Sequence, residues 1–178
     1  YGKSTLAEQW VHRSGRRGAW FTARSSSTDV AALALGLARS SATIVPGCDA
    51  RLREYLRAVP APADNVAVLA EILGEDLASW PDDAWLVIDD YHEVAQEPKS
   101  EQFGDALIDA APIQCLIASR QRPSWVSTKR ILYGGLLELS KNALAMDNYE
   151  AAEVLLARTE ASASGLVRKL DVDAKAWP

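Results

Sequence analysis

The sequence predicts an α/β protein in which helices cover both faces of a parallel sheet, and three observations lead there. Trp85-Leu86-Val87-Ile88 is an unbroken apolar run, opened by Pro81-Asp82-Asp83 and ended by Asp89-Asp90. A strand with both faces buried in a parallel sheet reads this way, whereas a strand with one wet face alternates. Ile113-Gln114-Cys115-Leu116-Ile117-Ala118 repeats the pattern. Between such runs lie stretches with apolar residues three and four apart, the spacing of amphipathic helices. Strands alternating with helices imply right-handed crossovers and a parallel sheet.

In chain order, Ser4 to Arg13 reads as a helix, and a glycine-flanked turn leads to a strand over Ala19–Ala23. Thr28-Asp29 caps a helix whose Val30, Leu33, Ala34 and Leu37 share one face. Pro46-Gly47 closes that region, a shorter helix spans Ala50 to Ala58, and Val59-Pro60-Ala61-Pro62-Ala63 is a stiff connection. Asp64 is expected to cap a helix with Val66, Leu69, Ala70, Leu73 and Leu77 as its stripe, running to about Ser79. After Asp90 come Tyr91-His92-Glu93-Val94, a polar loop and a helix from about Ser100 to Ala111, stopped by Pro112. A loop with a short helix spans Arg122 to Arg130, and Leu136–Leu139 is expected to form a fourth visible strand. Asp147 and Glu150 form a capping box for a helix through about Arg158.

A chain of 178 residues suits one domain with a sizeable core. The net charge of -5 argues against a general nucleic-acid-binding face, and the basic clusters Arg13–Arg17 and Arg51–Arg57 read as solvated surfaces. No apolar run approaches the roughly 20 residues that cross a bilayer. Cys48 and Cys115 lack metal-ligand spacing, which suits a cytoplasmic protein without a disulfide framework.

Two stretches carry chemistry. Gly2-Lys3-Ser4-Thr5 matches the second half of the phosphate-binding pattern G-x-x-x-x-G-K-[ST] and leads into a helix. The glycine lets backbone approach a phosphate, the lysine brings a point charge to the β and γ phosphates, and the serine hydroxyl can ligate a metal. The plain alternative is a helix start with an exposed lysine. Asp89 and Asp90 end a buried strand, where ligands of open α/β sheets bind; one carboxylate can hold Mg²⁺ and the next can orient or deprotonate water. The plain alternative there is a strand running into a solvated turn. Ser119-Arg120 hang off the next strand, placing an arginine in reach of a γ-phosphate. His92 has no derivable chemical role and is expected to pack beneath the loop and bond backbone. A phosphate loop must follow a strand, so the loop's first glycine and that strand are expected upstream of Tyr1.

Gly2-Lys3-Ser4-Thr5-Leu6, Ala19-Trp20-Phe21-Thr22, Leu86-Val87-Ile88-Asp89-Asp90-Tyr91-His92 and Leu116-Ile117-Ala118-Ser119-Arg120 together resemble the nucleotide-binding domain of STAND-class ATPases. Within that class the chain is most similar to the large ATP-binding LuxR-family transcriptional regulators, which include the maltose regulon activator. The resemblance implies a P-loop NTPase fold of the ASCE/STAND type, with the Arg120 strand between the phosphate-loop strand and the Asp89 strand. It assigns residues 1–160 to an N-terminally truncated nucleotide-binding domain and 161–178 to the start of the next subdomain, where Ala176-Trp177-Pro178 stands in place of the family's Gly-Trp-Pro. By the same resemblance Gly2, Lys3, Ser4 and Thr5 hold phosphate, Ser4 and Asp89 hold Mg²⁺, Asp90 acts on water and Arg120 senses the γ-phosphate. The implied cofactors are ATP or ADP with Mg²⁺. DNA is reached only through domains outside this chain, copies associate on ATP binding, and no membrane is involved.

The leading expectation is a slowly ATP-hydrolysing switch. A module that holds nucleotide with little or no hydrolysis is the second; a shortened chain that binds none is a separate reading that concerns this segment and not its parent. A small-molecule kinase fits less well, since no acceptor-substrate motif is visible.

Overall fold

The computed structural model describes residues 2–139. The chain divides into two units, residues 1–130 and residues 131–178, and only 131–139 of the second are described. The first unit is α/β, built on a three-stranded parallel sheet in the order β1 (Arg17–Thr22), β2 (Ala84–Asp89), β3 (Gln114–Ile117). Its helices are α1 (Lys3–Arg13), α2 (Val30–Ser41), α3 (Ala50–Ala58), α4 (Val66–Asp76) and α5 (Pro98–Ala110); the short α6 is Thr128–Leu132. No helix among the described residues is long and apolar enough to cross a membrane.

β2 is the central strand; Leu86 and Val87 in its apolar run are fully buried and Ile88 is nearly so, while Trp85 at its start is half-buried. Side chains alternate along a strand, so the register divides the sheet into two faces. Ala19 and Phe21, Leu86 and Ile88, Cys115 and Ile117 share one face; Trp20, Trp85, Val87 and Leu116 share the other. The first face packs under α2 and α5, where Leu33, Leu37, Phe103 and Leu107 join Ile88, Cys115 and Ile117 around a small interior cavity. The second packs under α1, whose Ala7 and Val11 meet Val87, with Leu116 half-buried at the margin.

Most expected elements form. Asp29 caps α2, its carboxylate accepting from the Ala31 amide at 2.7 Å, and Val30, Leu33, Ala34 and Leu37 are all buried. Two expectations need correction. Asp64 does not cap α4; Asn65 occupies that position without a side-chain bond, and the Asp64 carboxylate accepts instead from Lys99 Nζ at 2.8 Å. The fourth strand over Leu136–Leu139 is absent: those residues pair with no strand among the described residues, and Leu137 and Leu139 are exposed. An apolar run needs a ladder partner to become a strand, and apolarity alone does not supply one. The basic clusters are solvated, as expected, with exposed Arg17, Arg51 and Arg53 in surface ion pairs to Asp83, to Glu75 and Asp76, and to Asp49. The capping box at Asp147 and Glu150 and the segment 161–178 lie outside the described residues.

Candidate functional site

α1 runs antiparallel to the strands. Trp10 meets Trp85 edge to face with ring centroids 4.7 Å apart, while Ala7, nearly a turn earlier in the helix, packs with Val87, two residues later in the strand. A further three to four residues back along α1, about 5–6 Å, match two more strand residues, about 6.6 Å, bringing Lys3 and Ser4 toward the level of Asp89. Alternation also puts the Asp89 side chain on the face of Trp85 and Val87, the face that α1 covers. The amino end of α1 and the first acid therefore share one end and one face of the sheet.

Gly2 immediately precedes α1 in the left-handed region, φ 102°, a conformation that a side chain disfavours. No side chain bonds the first amides of the helix, and Gly2, Ser4 and Thr5 are exposed, with Lys3 half-buried. Free N–H groups at a helix start suit an anion.

The three strand ends are tied together by backbone. The Ala23 amide donates to Asp89 O at 2.9 Å, Ala118 N to Ile88 O at 2.9 Å, and Tyr91 N to Ala118 O at 3.0 Å. Asp89 Oδ1 accepts from the Asp90 amide at 2.9 Å. Asp90 is itself left-handed, φ 52° and ψ 35°, the only non-glycine residue with positive φ among those described. Aspartate tolerates that region. The turn leaves the Asp90 carboxylate partly exposed at the sheet's end while Tyr91 enters the core, 2% exposed.

His92 is mostly buried, as expected, but does not bond backbone. Its Nδ1 lies 3.8 Å from Asp90 Oδ1, too far for a hydrogen bond, and has no other partner; Nε2 lies 3.4 Å from Glu93 Oε1. Arg120 is exposed just past β3 and forms no ion pair with Asp89 or Asp90. Gly2–Thr5, Asp89-Asp90 and Arg120 are thus gathered at one end of the sheet without bonding one another. Arg24, two residues beyond β1, stands at the same end, a position that counting past the Ala19–Ala23 strand would have indicated.

Among the described residues no three histidine, cysteine or acidic side chains converge as a metal cage. A Mg²⁺ ion that takes most of its ligands from phosphate and water needs only a hydroxyl and one carboxylate, which Ser4 and Asp89 can provide. The cysteines are poor nucleophiles or ligands, because burial pushes the Cys48 thiol up to about 11 and the Cys115 thiol up to about 12.

One group of residues escaped the sequence reading. Glu101, Asp105 and Asp109 stand four apart on α5, and each holds the segment after β3: Glu101 accepts from Ser124, and Asp105 and Asp109 both pair with Arg130. The four-residue acidic spacing on an expected helix was the available signal.

No protein-family model matches the chain, and no curated protein matches it.

Proposed function

We propose that this domain binds Mg²⁺-ATP or Mg²⁺-ADP at the carboxyl end of the sheet and hydrolyses ATP slowly, as the switch of a multidomain transcriptional regulator of the large LuxR type. The observation that carries the reading is the shared end and face of the uncapped α1 start and Asp89. In this reading Gly2 to Thr5 present backbone amides to phosphate, Lys3 adds charge at the β and γ positions, and Ser4 and Asp89 hold the metal. Bound Mg²⁺ offsets charge on the phosphates. Asp90, held outward by its left-handed turn, orients the attacking water, and Arg120 reads the terminal phosphate. The regulator assignment and the DNA target rest on the resemblance alone.

The finer fold proposed is that of a P-loop NTPase, with a fourth parallel strand beside β3. Its support is the edge itself: all four β3 residues are only half-buried, and among the described residues nothing pairs with the strand's outer side.

ATP turnover of Asp90→Asn tests the hydrolytic step. The expected outcome is a loss of at least about tenfold with binding kept; equal rates remove Asp90 from the chemistry. The second reading, nucleotide held with little turnover, is favoured by Arg130, which Asp105 and Asp109 retain on α5 and so withhold from the phosphates.

A further inference from the structure

The segment following β3 is fastened at both ends, and the fastenings lead back to the turn after Asp90. At its start, Ala118 donates to Ile88 O and accepts from Tyr91 N. At its far end, both the amide and the hydroxyl of Ser124 donate to Glu101 Oε2, at 2.5 Å and 2.6 Å. Next to it, Trp125 Nε1–H donates to Tyr91 Oη at 3.1 Å, with the two rings edge to face at 6.2 Å. Glu101, Tyr91 and Trp125 are each less than 9% exposed, so the Trp125–Tyr91 bond is shielded from water, while the two bonds from exposed Ser124 are partly buried. Arg130 adds a third fastening to α5 through Asp105 and Asp109, its guanidinium 5.9 Å from the Trp125 ring centre. Only Ser119 to Pro123 lies between the anchors, and Arg120 is in that span.

Burying a carboxylate is costly unless it is hydrogen-bonded, and the two bonds that Glu101 Oε2 accepts from Ser124 are therefore strongly favoured over a released segment that leaves the carboxylate without them. We propose that Glu101, together with the Tyr91–Trp125 pair, is a positioning latch for Arg120, clamping its segment to α5 and to the turn after Asp90 so that the arginine distinguishes ATP from ADP. The inference rests on the nucleotide reading above and names the regulation of that same site. A loosened latch leaves Lys3, Ser4 and Asp89 untouched. ADP affinity is then kept, while the preference for ATP falls.

The test uses the full-length protein with Mg²⁺ and fluorescent ATP and ADP analogues, comparing Glu101→Ala, Glu101→Gln, Ser124→Ala and Arg120→Ala with the unaltered chain. Arg120→Ala sets the ATP-over-ADP ratio without the sensor. Glu101→Ala is expected to approach that ratio, a fall of about tenfold, as expected for losing bonds to a charged acceptor. Glu101→Gln, which still offers Ser124 a carbonyl oxygen, is expected to restore most of it. Ser124→Ala, an exposed position that removes only the hydroxyl, gives a smaller fall in a chain that folds normally.

Limited trypsin digestion supplies a readout independent of nucleotide. The Arg122–Pro123 bond resists trypsin, so cleavage within this span reports the Arg120–Gln121 bond. Glu101→Ala and Ser124→Ala are expected to speed that cut. An unchanged rate overturns the latch. A faster cut with an unchanged ATP-over-ADP ratio overturns the positioning role. If the unaltered chain binds neither analogue, the nucleotide reading falls and the inference with it, and the digestion still reports whether Glu101 clamps the segment.

Discussion

The two faces of the sheet are finished differently. Under α2, α4 and α5 the packing is closed: Leu33, Leu69, Leu73, Phe103 and Leu107 are all 2% exposed or less. Under α1 a single helix covers Val87 and part of Leu116, and Leu6, Trp10 and Trp20 remain 47%, 38% and 39% exposed. The closed face provides stability, and the thinly covered face holds the uncapped helix start and Asp89. Binding and catalytic groups commonly sit on less constrained parts of a scaffold that is rigid elsewhere.

Matched truncations sharpen this contrast, and they have the largest expected effect. Phe103→Ala should cost about 3–5 kcal/mol in urea-melt stability, as aromatic deletions in closed cores do. Leu116→Ala, already half-solvated, should cost about 1–2 kcal/mol, less than a fully buried leucine. Equal losses would break the comparison.

A second test lies within the closed face. A Cβ at Gly104 would stand 2.6 Å from Tyr91 Oη, so Gly104→Ala should destabilise by about 1–3 kcal/mol despite alanine's better helix propensity. Removing that hydroxyl leaves the ring carbon at an ordinary 3.6 Å. Tyr91→Phe should therefore combine with Gly104→Ala at less than the sum of the two losses, measured as a double-mutant cycle.

Smaller effects are expected at the margins. Asp29→Ala removes the α2 cap and should cost about 1 kcal/mol. The exposed Arg17–Asp83 pair should give the least. Hydrogen bonding from Arg17 holds the Asp83 carboxyl below its ordinary range, so the pair's contribution is present above the unfolded-state pKa and lost as pH falls through the lower folded value. Asp83→Asn should accordingly match the unaltered chain in acid and fall slightly behind it at neutral pH, in thermal melts across pH 2–7.

Much of this arrangement was legible from local pattern. The run Trp85–Ile88 gave the central strand, because only a strand covered on both faces tolerates four large apolar residues in succession. Asp29 was legible as a cap because its bonds are to amides two and three residues away. Asp64 was misread because its carboxylate answers to Lys99, 35 residues distant in sequence, a contact that only the folded chain creates. Leu136–Leu139 carries a strand's apolarity but finds no ladder partner among the described residues, and a sequence does not state where the open edges of a sheet lie. The candidate site shows the same division. Gly2–Thr5 and Asp89-Asp90 were visible as motifs, whereas the Glu101–Ser124 and Tyr91–Trp125 bonds join residues 23 and 34 apart.

The central claim is that the start of α1 and the acids ending β2 form one Mg²⁺-nucleotide site. Titration calorimetry of the full-length protein with Mg²⁺-ATP tests it most directly, with Lys3→Ala and Asp89→Asn as comparisons. The account predicts saturable binding that both substitutions weaken by at least about tenfold while melting temperatures hold, as expected for charged contacts to phosphate and metal. Binding that survives both substitutions unchanged, or no binding by the unaltered protein, would contradict it.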